Sequence, residues 1–249
     1  MSRWLRTLWW LPTLAALPVL LPLAIHTRRT ALRLPPASGP ATGQAGQGEP
    51  TLRLLAIGES TVAGVGVDEL GQALTAQVAE ALAEDGRAVR WSAFGENGIT
   101  AHEAAERLLP AALQESAELV LLVFGVNDTT HFSSQSQWLD GLARLAEAWQ
   151  VRGAQVVVTA VPPLGHFSAL PWLMRRLLGW RGQILDRELR ALAQRLGLHY
   201  CAAGVEFEAE FLAEDGNHPS ARGYLAWARS LAGQLRALPE RQPAVRPAG

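Results

Sequence analysis

Apolar residues recur along this chain with two different periods. Short runs of β-type composition stand at 52–57, 88–94, 119–124 and 155–160, with a weaker one at 198–201. Runs such as LVLLVF and VVVTAV leave almost no polar gap, as expected of parallel strands covered on both faces. Between them Leu70, Leu74, Val78 and Leu82 repeat at helical spacing, and Gly86 supplies a stop. The stretches 136–153 and 181–197 behave alike, each closing on a glycine suited to a left-handed cap. Alternation with right-handed crossovers predicts an α/β domain: a doubly wound sheet of about five parallel strands in three α/β/α layers. In that architecture reactive groups collect beyond the carboxyl ends of the strands.

Two segments break this pattern before the domain begins. Residues 8–25, LWWLPTLAALPVLLPLAI, carry no charge, and Arg3, Arg6, Arg28, Arg29 and Arg33 flank them. That length sits at the lower limit for crossing a bilayer, and the tryptophans Trp4, Trp9 and Trp10 suit a membrane boundary. The expectation is an N-terminal hydrophobic helix over 1–34 that anchors the chain by a single pass, with basic residues at both ends leaving the side open. A cleaved signal competes, although no small-x-small site follows Ile25; a hairpin buried in the domain is the third possibility. Residues 35–50 hold Pro, Gly, Ala and Gln without long apolar side chains, the composition of a flexible linker. The tail from 239 to 249 reads as disordered, which leaves 51–238 as the folded domain.

Composition narrows the chemistry. All 22 basic residues are arginine, so the lysine of phosphate-loop NTPases, Schiff-base enzymes and pyridoxal-phosphate enzymes is missing. A net charge of -1 offers no field for nucleic acid. The single cysteine, Cys201, has no partner for an internal disulfide and no zinc-type companions.

The strand ends carry the candidates. GES follows the first run, with Ser60; FGENGIT follows the second, with Gly98; FGVNDTTH follows the third, with Asn127; and EDGNHPSARGY precedes the last helical stretch, with Asp215 and His218. A hydroxyl, a glycine N–H, an amide and a carboxylate–imidazole pair are the inventory of acyl transfer.

These blocks resemble the SGNH, or GDSL-like, hydrolase family, whose pattern spreads over a flavodoxin-like domain of this length. GESTVAGVG aligns with the first block, NGIT with the second, GVND with the third and DGNHPSARGY with the last. The resemblance implies a triad of Ser60, Asp215 and His218. It also implies an oxyanion hole formed by Ser60, Gly98 and Asn127, with no cofactor and no metal. Glu59 stands where the family usually has Asp, and its expected role is a structural hydrogen-bond acceptor. No G-x-S-x-G elbow of the α/β-hydrolase type occurs.

The function expected is a membrane-tethered serine esterase acting on a small-molecule, lipid or sugar ester through an acyl-enzyme. Acyl transfer or deacetylation on a sugar or lipid acceptor is the nearest alternative, and a catalytically silent flavodoxin-like binding module the more distant one. The apolar segment 161–180 reads as a lid, a membrane-contacting helix or a core helix. His131 is expected on a solvated loop or along the pocket.

Overall fold

The computed structural model describes residues 2–49, 51–204 and 209–238. Five parallel strands form the centre: β2 (Leu52–Gly58), β3 (Val89–Gly95), β4 (Leu119–Val123), β5 (Gln155–Thr159) and β6 (His199–Cys201). A sixth strand, β1 (Thr42–Ala45), adds to the edge, giving the order β1-β3-β2-β4-β5-β6. The sheet is mixed because β1 pairs antiparallel with β3, Gly43 opposite Trp91.

Every expected parallel strand is present, and the side-chain period of two explains its apolar runs. Along β2, Leu54 and Ala56 pack on one face, while Leu55 and Ile57 pack on the other. The first face is covered by α3 (Leu74–Ala83) and α9 (Ala221–Arg236), with Val78, Trp227 and Leu231 in its core. The second is covered by α4 (Ala101–Arg107), α5 (Leu109–Ala112), α7 (Gln135–Val151) and α8 (Trp172–Leu196), around Trp138, Leu145 and Leu189. A short helix, α6 (Val126–Thr130), opens directly off β4. The three glycines expected to end helices, Gly86, Gly153 and Gly197, all take positive φ.

The segments ahead of the domain depart from expectation. Instead of one spanning helix there are two, α1 (Ser2–Ala15) and α2 (Leu17–Thr30), bent by 83° about Ala16. Among the described residues no single helix is long and apolar enough to cross a membrane. Pro18 at the start of α2 lacks the N–H that would continue α1, which favours a break here. Helix α1 packs on α8: Trp9 is 1% exposed, and its indole N–H donates to the Leu177 carbonyl at 2.7 Å. Arg6 donates from Nε to Glu188 Oε1 at 2.8 Å, and Arg181 lies over the Trp9 ring. Helix α1 is thus seated on the domain through Trp9 and Thr13, while Trp4, Leu8, Trp10, Leu11 and Leu14 stay exposed, as do Val19, Leu21 and Ile25 of α2.

Residues 35–50 are likewise not a free linker. Ser38 N–H donates to Asp68 O, Ala37 N–H donates to Ala63 O, and β1 occupies 42–45. Small residues are needed there for packing, since a Cβ on Gly43 would stand 2.7 Å from the Trp91 indole. The expected tail, 239–249, lies outside the described residues. The 161–180 stretch divides into a loop with one 3-10 turn, Leu164–His166, and the start of the long helix α8.

Candidate active site

Strand β2 stops at Gly58, where any Cβ would collide with Val123 O and Val62. The chain then coils: Val62 and Ala63 N–H donate to Glu59 O, and Val65 N–H donates to Ser60 O. Ser60 heads this turn, 6% exposed.

Glu59, also buried, points its carboxyl across to the next strand end. Oε1 accepts from Val126 N–H at 3.0 Å and Oε2 from Asn127 N–H at 2.9 Å. The side chain thus ties the Ser60 turn to the start of α6. Burial pushes its pKa up to about 8, against the lowering effect of those two amides. The structural role expected for Glu59 is the one its contacts describe.

Asn127 donates one amide hydrogen from Nδ2 to Ile99 O at 3.1 Å, which fixes its rotamer and leaves the second hydrogen available. Its neighbour Asp128 is fully buried and accepts from Ala101 N–H at 3.0 Å through Oδ2. Burial raises its pKa too, and the Ala101 bond opposes the rise. The third strand end is therefore laced to the second at two points. Thr100 caps α4 there in a capping box with Glu103. Between Glu96 and Ile99, Gly98 takes φ +89° with open space on its Cβ side, a conformation that selects glycine.

His218 and Asp215 face each other in the loop before α9. His218 Nδ1 lies 2.6 Å from Asp215 Oδ2, while Asp215 Oδ1 accepts the N–H groups of Asn217 and His218 at 3.0 Å each. Burial alone pushes the Asp215 carboxyl up, but these three bonds together hold it below the usual carboxylate range. An ionised carboxylate only accepts, so Nδ1 carries the proton and Nε2 is left as the acceptor. Backbone bonds from Ala213 N–H to His218 O and from Ser220 N–H to Phe211 O clamp the loop. Close approach of Gly66 to Pro219 and His218, with Tyr224 O–H donating to Val65 O at 2.7 Å, presses the Ser60 turn against it.

Gly98, Asn127, Asp215 and His218 all line one cavity of about 480 Å³. Ser60 is not among its lining residues, and among the described residues its hydroxyl is not hydrogen-bonded to His218. Such bonds are often loose before substrate arrives. His131 also borders the cavity, as do Leu164, Phe167 and Leu170 from the loop ahead of α8. The remaining wall, Thr27 and Ala31–Leu34, comes from the end of α2 and the chain after it. No local motif marked those residues as part of a site, because their hydrophobicity reads equally as an anchor. Among the described residues no group of three or more His, Cys, Asp or Glu is disposed to hold a metal ion.

A curated GDSL-like esterase of Mycobacterium tuberculosis is 28% identical over 182 residues, 70% of this chain. The chain spans only 58% of that relative's length. Among solved structures, a lipolytic protein of the G-D-S-L family from Desulfitobacterium hafniense superposes with a TM-score of 0.60 at 14% identity, over 73% of this chain and 98% of its own. A lipase/acylhydrolase from Enterococcus faecalis does so with a TM-score of 0.60 at 20% identity, over 77% and 100%. At these identities the superpositions carry the fold alone. The model of the GDSL-like lipase/acylhydrolase family matches residues 56–226, from within β2 to within α9 and with all four sequence blocks, and the chain belongs to that family.

Proposed function

We propose that this chain is a serine esterase that hydrolyses carboxylic esters through an acyl-enzyme. The observation that carries the reading is the 2.6 Å contact of His218 with Asp215 on the same cavity as Gly98 and Asn127. Ser60 Oγ attacks the ester carbonyl carbon as His218 Nε2 takes its proton. The tetrahedral oxyanion is held by the backbone N–H groups of Ser60 and Gly98 and by the second amide hydrogen of Asn127. Collapse breaks the bond to the alcohol, which leaves with the proton from His218. Water, deprotonated by His218, then attacks the acyl carbon and releases the acid and Ser60. No cofactor enters any step.

A fluorophosphonate probe tests the reading. It should label Ser60 and no other serine, and Ser60→Ala should lose both labelling and p-nitrophenyl ester hydrolysis with an unchanged far-UV circular dichroism spectrum. Labelling that survives in the variant would remove Ser60 from its role. If rate depends on an added sugar or lipid acceptor, the same machinery performs acyl transfer instead.

A second part of the proposal concerns lipid. Leu11, Leu14, Leu17, Val19, Leu21 and Ile25 are each at least 45% exposed along α1 and α2, and Arg28 and Arg29 follow them in the last turn of α2. Such a face, on two helices bent by 83° from each other, suits lying in a membrane interface. The chain should co-sediment with vesicles containing anionic phospholipid, and Leu11→Glu combined with Leu21→Glu should abolish this. Equal binding by the variant would contradict the interfacial reading.

A further inference from the structure

We propose that the segment 27–34 is the acyl-binding wall of the active-site cavity, and that through it the chain selects esters with acyl groups longer than acetyl. The inference rests on the esterase reading above. The segment precedes the family-matched residues, which begin at 56, so it lies outside the part of the chain that the family model matches. It contributes Thr27, Ala31, Leu32 and Leu34 to the same cavity as Asn127 and His218. Leu164, Phe167 and Leu170 line the same cavity, whose volume is about 480 Å³. That volume is within the range of small-molecule sites and exceeds what an acetyl group fills. Arg33 also borders the cavity and is itself exposed.

Both ends of the segment are fixed, which makes it a wall and not a passing loop. On one side α2 continues from α1, which is seated on α8 by Trp9 and Arg6, and Thr27 O–H bonds to Leu23 O at 2.9 Å. The Ala31 N–H donates to Thr27 O at 2.8 Å. On the other side Ala37 and Ser38 donate their N–H groups to Ala63 O and Asp68 O, beside the turn that Ser60 heads. The side chains of Ala31 and Leu32 are left exposed, with Leu32 at 52%. An apolar chain laid along them would cover surface that nothing in the described protein covers.

Each methylene moved from water onto such a wall raises kcat/KM by roughly fourfold, so hexanoate should exceed acetate on the order of a hundredfold. The test is the hexanoate-to-acetate ratio of kcat/KM for p-nitrophenyl esters on the full chain. The leaving group is constant across this series, and any unfolded fraction cancels from a ratio. Ala31→Trp, which fills the cavity, and Leu32→Asn, which makes the wall polar, should each lower the ratio at least tenfold. A ratio unchanged in both variants overturns the proposal, as does a change seen only when the alcohol part is lengthened. Failure of the fluorophosphonate to label Ser60 in the unaltered protein would instead overturn the esterase reading, which separates the two failures.

Discussion

Glu59→Gln probes how the site is held, because one buried carboxyl bridges two strand ends. Burial moves the Glu59 pKa from 4.5 to about 8 in the folded protein. Between those values the folded chain keeps a proton that the unfolded chain has lost. Stability therefore falls as pH rises, by about 1.4 kcal/mol per pH unit from this group alone. The contribution is complete below pH 4.5 and is gone once pH passes about 8. Glutamine does not titrate. Its oxygen accepts one N–H of the Val126–Asn127 pair and its NH₂ faces the other, as the O–H of protonated Glu59 does, so it stands in for the protonated acid. The variant should therefore match the parent near pH 5 and become the more stable of the two as pH rises toward 8, gaining about 1.4 kcal/mol per pH unit. Urea unfolding at several pH values, extrapolated to water, measures both proteins. Most other titrations cancel in the difference; Asp128, whose charge acts on Glu59, does not fully cancel. A parent that gains on the variant with rising pH would mean that the two amides hold Glu59 ionised, and the reasoning would be refuted.

Other consequences are equally direct. Asn127→Ala should lower kcat by about a hundred- to thousandfold with little change in KM, since the amide stabilises the oxyanion more than the bound ester; a KM effect alone would make Asn127 a substrate-binding group. Asp215→Asn should lose less activity than His218→Ala, because it disturbs the tautomer of the base without deleting it, and the reverse order in steady-state kinetics would exclude the assigned roles. Trp9→Ala should destabilise the fold by about 3–5 kcal/mol in urea titrations, as for a buried core tryptophan. A cost under about 0.5 kcal/mol, the scale of a surface residue, would restore α1 as a detachable anchor.

The sequence by itself determined the parallel strands of the sheet and supplied the candidates for the site. Strand runs such as 119–124 are buried on both faces, and helices with the spacing of Leu74, Val78 and Leu82 cover them, so local period was sufficient. Three of the four blocks were legible because each lies at a strand end, where topology brings carboxyl ends together; the fourth, 215–224, lies beyond β6 in the stretch that leads into α9. For residues 2–49 the contacts with the domain came from the tertiary structure alone. Hydrophobicity records that a segment avoids water; it does not say whether lipid or protein receives it. For Trp9 the receiver is α8, with a carbonyl on Leu177 for the indole N–H. Likewise a Gly-rich stretch reads as a linker until a partner is known. Gly43 and Ala45 sit in a strand because β3 offers an unpaired edge and Trp91 needs a neighbour without a side chain. The ties from Glu59 to Val126 and Asn127, and from Asp128 to Ala101, join residues far apart in the chain, and only the folded sheet brings them within hydrogen-bond reach.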